Sequence, residues 1–226
     1  MTAASLGAAL ARIGQIQTRL SGTTALLLAI VAIAAMLPGV WLVTRHITVI
    51  AHEFAHATVG SALGRTVRGI TLQPNADGAT AVSGGGKPGS AVIAAVGYLG
   101  PSAFGVGAAE LIRTGHIVAV LWAAMVALLA VMFVLRRSFG VLTVIVTLVF
   151  LLLLAGVASV RVQVMTAYAL TWFLLVSGVR IVVVRGPRAG DAGILRDITR
   201  IPRIFWYGFW LLSTAAALVY GATLLV

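Results

Sequence analysis

No cysteine occurs among the 226 residues, which excludes disulfides, thiolate metal sites and cysteine nucleophiles together. Acidic residues are nearly as scarce, with five Asp and Glu against sixteen Lys and Arg. Any metal must be held by these few carboxylates, the four histidines or neutral oxygens. Charged residues make up only 9% of the chain, whereas 61% are hydrophobic and the mean hydropathy is +1.09, outside the range of soluble domains. The formal charge of +11 does not signal nucleic acid, because the basic residues sit between apolar runs and not on one face or tail. What the chain has in abundance is apolar runs long enough to cross a hydrocarbon core, which takes about 20 residues each.

These runs predict an all-α polytopic membrane protein with seven transmembrane helices, near 23–43, 44–63, 90–112, 116–135, 138–158, 163–185 and 204–226. They fill the length, so a single membrane-embedded domain over 1–226 is expected. It divides into a first span (23–43), a second helix with the segment and span after it (44–112), further spans (116–185) and a last basic segment with its span (186–226). Arg12 and Arg19 before the apolar stretch from Thr23 to Leu37 resemble the start of a signal peptide, but the long run that follows favours a retained span. With seven spans and a cytoplasmic N-terminus, most basic residues fall inside, from Arg12 and Arg19 through Arg136 and Arg137 to Arg203. Arg45, Arg113 and Arg161 fall outside and Arg180 lies within a span, as the positive-inside rule predicts.

Two segments are not simple spans. After the second helix, residues 64–90 carry Val67, Ile70, Thr71 and Leu72, a Pro-Asn-Ala-Asp-Gly turn, then Thr80, Val82 and Ser83, which predicts a small membrane-associated β-hairpin and a Gly linker. Residues 185–206 are basic and punctuated by Pro187 and Pro202, with a short helix capped by Asp191.

The chemistry concentrates in the second span. His52, Glu53 and His56 form His-Glu-x-x-His. Residues four apart share one helical face, so both imidazoles can reach a single ion while Glu53 projects beside them. Such a pattern suits a zinc hydrolase: two neutral imidazole ligands, a third ligand from elsewhere, a water position and a carboxylate to take its proton. Ionisable groups at membrane depth are costly and mark functional sites. Gly60 and Gly64 continue the face and allow close approach of another helix. His46, near the opposite side of the wheel, and His116 read as interface residues. For the third ligand the candidates are Asp77, Glu110, Asp191 and Asp197. Asp77 suits the turn, Glu110 lies near the far end of its span, and the other two sit in the basic segment.

Taken together, "HEFAH" (52–56), the hairpin with Gly64 and Pro74–Gly78, "GYLGPS" (97–102) and "GDAGILRDITRIPRIFW" (190–206) resemble the site-2 protease family of intramembrane zinc metalloproteases, in particular its compact bacterial branch. Typical members carry their late aspartate in a membrane helix, whereas Asp191 follows Ala189 and Gly190 in a basic segment. The resemblance implies hydrolysis of a peptide bond in or near a membrane-protein substrate helix, in a bacterial plasma membrane. It also implies Zn2+ on His52, His56 and, by position, Asp191, with Glu53 as the catalytic base. The hairpin edge, with Val67, Ile70 and Leu72, is then the expected binding place for an unwound substrate strand, as β-augmentation provides. With no appended regulatory domain expected, substrate selection falls to the membrane core or to a regulatory membrane partner. An inactive partner-binding scaffold and a metal transporter are the competing readings, the latter weakened by how few other ionisable residues the spans contain.

Overall fold

The computed structural model describes Gly7, residues 9–136 and residues 138–226. Arg137, counted above among the inner basic residues, and residues 1–6 and 8 of the expected domain lie outside the described residues.

Helix α1 (Gly22–Ala34) opens on Ser21, whose hydroxyl accepts from the Thr24 amide. Pro38, in the first turn of α2 (Pro38–Ala62), follows an extended Leu37, and the chain bends by 102° between these helices. A proline lacks the amide that would continue the preceding helix but fits the first turn of the next. Strands β1 (Thr66–Leu72) and β2 (Gly78–Ser83) pair antiparallel, with a register irregularity between Val67 and Gly69. Helices α3 (Lys87–Val96) and α4 (Gly100–Arg113) are joined through a tight turn at Gly97–Leu99. Next come α5 (Ile117–Val134), α6 (Ser138–Val157) and α7 (Val160–Arg185). The short α8 (Gly190–Thr199) stops at a left-handed Arg200, and α9 (Arg203–Leu225) completes the chain.

The chain is mostly helical, with a two-stranded antiparallel sheet. Among the described residues five segments are long and apolar enough to cross a membrane: 87–113, 117–134, 139–157, 160–188 and 203–225. The bent pair α1–α2 adds at most one more. The expected seven are therefore not reached, and the difference lies in the first two. Hydropathy reads 23–43 and 44–63 as two spans, but α1 has only 13 residues, or about 20 Å at 1.5 Å per residue, short of a 30 Å core.

Contacts between chain ends fix the layout. Arg19 bonds to the Leu224 carbonyl at 2.5 Å, the Gln17 amide to the Gly115 carbonyl at 2.8 Å, and the Gln17 side chain accepts from the Val118 amide at 2.9 Å. Residues 17–22 thus share one end of the bundle with 113–118 and 224–226. The hairpin lies at the other, where Ile70 bridges Leu135 and Arg185 meets Asp77 at 3.0 Å. The pair α1–α2 accordingly makes one net traverse. Helices α4, α7 and α9 pack together centrally, with Tyr168 and Leu175 fully buried between neighbours. Large apolar side chains such as Phe133 (89% exposed) and Leu212 (74%) cover the outside, the inverse of a water-soluble surface.

Candidate metal centre

Helix geometry sets His52 and His56 one turn apart, and their Nε2 atoms lie 3.0 Å from each other. The Nδ1 of His56 is 2.7 Å from the Ile93 carbonyl in α3. A carbonyl only accepts, so Nδ1 carries the proton and the Nε2 lone pair points toward His52. From α8, Asp191 brings its Oδ2 to 3.2 Å from His52 Nε2 and 3.4 Å from His56 Nε2. The three atoms can hold a metal ion.

Their triangle matches what an ion requires. Tetrahedral ligands at about 2.0–2.1 Å from a metal lie roughly 3.3–3.4 Å from one another, close to the observed 3.0, 3.2 and 3.4 Å. The donor set also fits, since two neutral imidazoles and a carboxylate are ordinary zinc ligands. Ile93 serves as the outer hydrogen-bond partner that orients a ligating histidine. Burial works against the charge on Asp191, but its contacts with His52 and His56 outweigh it and hold the carboxyl below the usual range.

Asp191 is not the helix cap expected of it. Ala189 occupies the cap position of α8 without a side-chain bond, and Asp191 sits in the first turn, turned toward the imidazoles. The other third-ligand candidates are engaged elsewhere. Asp197 is exposed and pairs with Arg196 at 2.6 Å, Asp77 bonds Arg185 and Asn75 in the hairpin turn, and Glu110 binds Arg113 and Tyr220 at the far end.

Glu53 is 4% exposed and lies outside the ligand triangle. The Thr80 hydroxyl donates to its Oε2 at 2.6 Å. A Cβ on Gly78 would fall 2.5 Å from its Oε1, and one on Gly60 would meet Val82 at 3.2 Å. Strand alternation explains the set: Gly78, Thr80 and Val82, two apart, present one face of β2 to α2. The close packing expected at Gly60 is thus with the hairpin as well as with Ile93 of α3, and Gly64 meets no neighbour but adopts φ +70° to turn the chain. Gly97 is the tightest neighbour of the site, for any Cβ there would run into both imidazoles. Beside it, the Tyr98 ring lies edge-on to His52 at 4.6 Å. Residue reasoning did not single out Gly97, Tyr98 or Thr80, although "GYLGPS" contained two of them and strand periodicity pointed to the third.

The hairpin residues expected to receive a substrate are placed differently. Ile70 and Leu72 are 0% and 1% exposed, packed in the core, and Val67 is half-buried. The outer edge of β1 is already covered: Arg136 donates its amide to the Ile70 carbonyl at 3.0 Å and its guanidinium to the Arg68 carbonyl at 2.6 and 2.8 Å. Among the described residues the edge without a strand partner belongs to β2, which borders the cavity of about 510 Å³ containing His52, Glu53, His56 and Asp191. His46, read as an interface residue, is instead buried, with Nδ1 3.0 Å from the Val43 carbonyl and its ring 5.4 Å from Phe139. His116 is half-buried and bonds Thr114.

No curated protein and no solved structure matches the chain. The profile of the family described as Peptidase M50B-like matches residues 23–221. That match takes in the two histidines, Glu53, the hairpin and Asp191, and with the apolar helices around them it makes this an integral membrane protein of a metallopeptidase family, in which His52, His56 and Asp191 could bind a metal. The chain belongs to the Peptidase M50B-like family, within the site-2 proteases.

Proposed function

We propose that the protein is a zinc-dependent intramembrane endopeptidase, acting as one membrane-embedded unit over 1–226 on a peptide bond in or near a transmembrane segment of another membrane protein. The observation that carries this reading is the convergence of His52, His56 and Asp191 on one point, with Glu53 in the same cavity. A bound zinc ion supplies Lewis-acid polarisation and makes water a stronger nucleophile at neutral pH. His52, His56 and Asp191 hold it, and Ile93 fixes the His56 tautomer that leaves Nε2 free to ligate. The Glu53 carboxylate takes a proton from the attacking water and returns it to the leaving amine. Thr80 holds Oε2 of that carboxylate, leaving the other oxygen for the proton.

A helical substrate has its carbonyls hydrogen-bonded and must unwind locally before attack. The free edge of β2 suits the unwound strand, because main-chain pairing there places an extended segment beside Glu53. Charge supports an orientation in a bacterial plasma membrane. Arg65, Arg68, Arg136, Arg188, Arg196 and Arg200 lie at the hairpin end with Arg45 and Arg185, and Arg12, Arg19, Arg113 and Arg161 at the other, so the larger share of basic residues puts the hairpin end in the cytoplasm. With one crossing fewer than expected, residues 17–22 then face outward and replace the cytoplasmic N-terminal side that seven spans implied.

The test uses the full chain reconstituted with a helical membrane substrate. Glu53→Gln is expected to keep its metal and lose cleavage. Full cleavage by Glu53→Gln would remove Glu53 from the mechanism, whereas stoichiometric partner binding without turnover in the wild type would make the protein a scaffold.

A further inference from the structure

Arg45 and Arg180 have no carboxylate to pair with. The chain has five acidic residues, and each is engaged elsewhere: Glu53 with Thr80, Asp77 with Arg185, Glu110 with Arg113, Asp191 with the histidines and Asp197 with Arg196. The Nε atoms of Arg45 and Arg180 are both buried without a hydrogen-bond partner. A buried guanidinium N–H without an acceptor is costly, and the chain holds no spare carboxylate to offset it.

Arg45 lines a cavity, and Arg180 lies behind Trp41, one of its walls. The Arg180 guanidinium stacks 4.6 Å above the Trp41 ring, and Arg45 follows Trp41 by one helical turn. Trp41, Arg45, Asn75, Asp77, Val184 and Arg185 line a space of about 320 Å³ between α2, α7 and the hairpin turn, within the size range of small-ligand sites, about 300–1,000 Å³. Seven-span reasoning put Arg45 on the outer side, but the cavity places it at the hairpin end beside Arg185. On the side away from the hairpin turn the helices present apolar side chains: Val184, itself a lining residue, is 60% exposed, and Val43 on α2 is 74% exposed. The cavity therefore sets Arg45, which has no carboxylate partner, beside Arg185, which shares its charge with Asp77, next to side chains at Val184 and Val43 that face acyl chains.

We propose that this cavity binds the phosphate of an anionic membrane-lipid headgroup, with Arg45 and Arg185 around the phosphate, Arg180 behind Trp41, and the acyl chains along the exposed faces of α2 and α7. Basic pockets between helices at the cytoplasmic side of a membrane bind such headgroups. The site is separate from the metal centre but shares a wall with it, since Val49, Asp77, Ile181 and Arg185 line both cavities.

The experiment is native mass spectrometry of the full chain, titrated with phosphatidylglycerol or with phosphatidylcholine of the same acyl chains. The wild type is expected to retain one phosphatidylglycerol with a preference of roughly tenfold or more over phosphatidylcholine. R45Q with R180Q should abolish that preference, while R113Q at the opposite end keeps it. Size-exclusion profiles identify any variant that fails to fold, and the wild-type preference stands as a test without variants. Equal retention of the two lipids by the wild type overturns the proposal, as does undiminished preference in a folded R45Q/R180Q protein. Loss of binding to an acidic membrane peptide in that variant, with no lipid preference in the wild type, would assign the arginines to a protein ligand and overturn it too.

Discussion

The hydroxyl of Thr80 donates its one proton to the Glu53 carboxylate at 2.6 Å, closer than the Glu53 carbonyl at 3.1 Å, so a strand residue holds the side chain of the proposed base. A hydrogen bond to a charged group contributes about 1.5–3 kcal/mol. Thr80→Val should therefore lower cleavage by roughly 10- to 100-fold, using 1.4 kcal/mol per decade, with metal content unchanged. Thr80→Ser should restore most of the rate because it restores the donor. Equal loss in both variants, read in a reconstituted cleavage assay, would show that Thr80 acts through packing alone.

Asp191 and Asp197 lie in the same short helix but are expected to behave oppositely. Asp191 completes the triangle with the histidines, whereas Asp197 is exposed and paired with Arg196. Asp191→Ala should reduce metal occupancy on purification by at least tenfold, and Asp197→Ala should leave it within error. Elemental analysis of the two purified variants decides between them.

Space at the imidazoles offers a third check. Gly97→Ala places a methyl group against both histidines, whereas Gly107→Ala, in α4, meets nothing within 4 Å. The first should weaken metal binding by tenfold or more. The second should leave binding unchanged and stabilise the helix by about 0.5–1 kcal/mol, read as a small rise in melting temperature.

Arg136 covers the outer edge of β1 with bonds to the Arg68 and Ile70 carbonyls. Removing its guanidinium in Arg136→Ala should cost about 1–3 kcal/mol locally. Hydrogen exchange at residues 66–72 should rise, with little change in α5. Unaltered exchange across β1 would mean that the Ile70–Leu135 bridge suffices to cover the edge.

Part of the local geometry could be read directly from residue order. The His-Glu-x-x-His spacing placed both imidazoles on one face, and the turn at Pro74–Gly78 separated two strands that form at Thr66–Leu72 and Gly78–Ser83. Spans bounded by Gly, Ser or Arg also fell within a few residues, as at 117–134 and 203–225. What could not be read there depends on contacts between distant segments. A hydropathy window cannot detect a 102° bend, although Pro38 marked the place. Nothing near Val67 or Leu72 indicates that Arg136 will cover their strand. Likewise, residue type alone left Asp191 and Asp197 as equals, and only the fold of α8 onto α3 separates them.

The proposed metal ligands come from α2 and α8, with the hairpin and the helices α3 to α7 between them. An ion held at that point is therefore a cross-link as well as a reagent, closing a long loop in a chain that has no cysteine with which to make a covalent one. Closing a long loop in advance removes entropy chiefly from the unfolded ensemble, and the effect grows only slowly with loop length. Chelation would then do more than silence the chemistry. It would unfasten α8 from the bundle, because one ion would serve as both the reactive centre and the clasp.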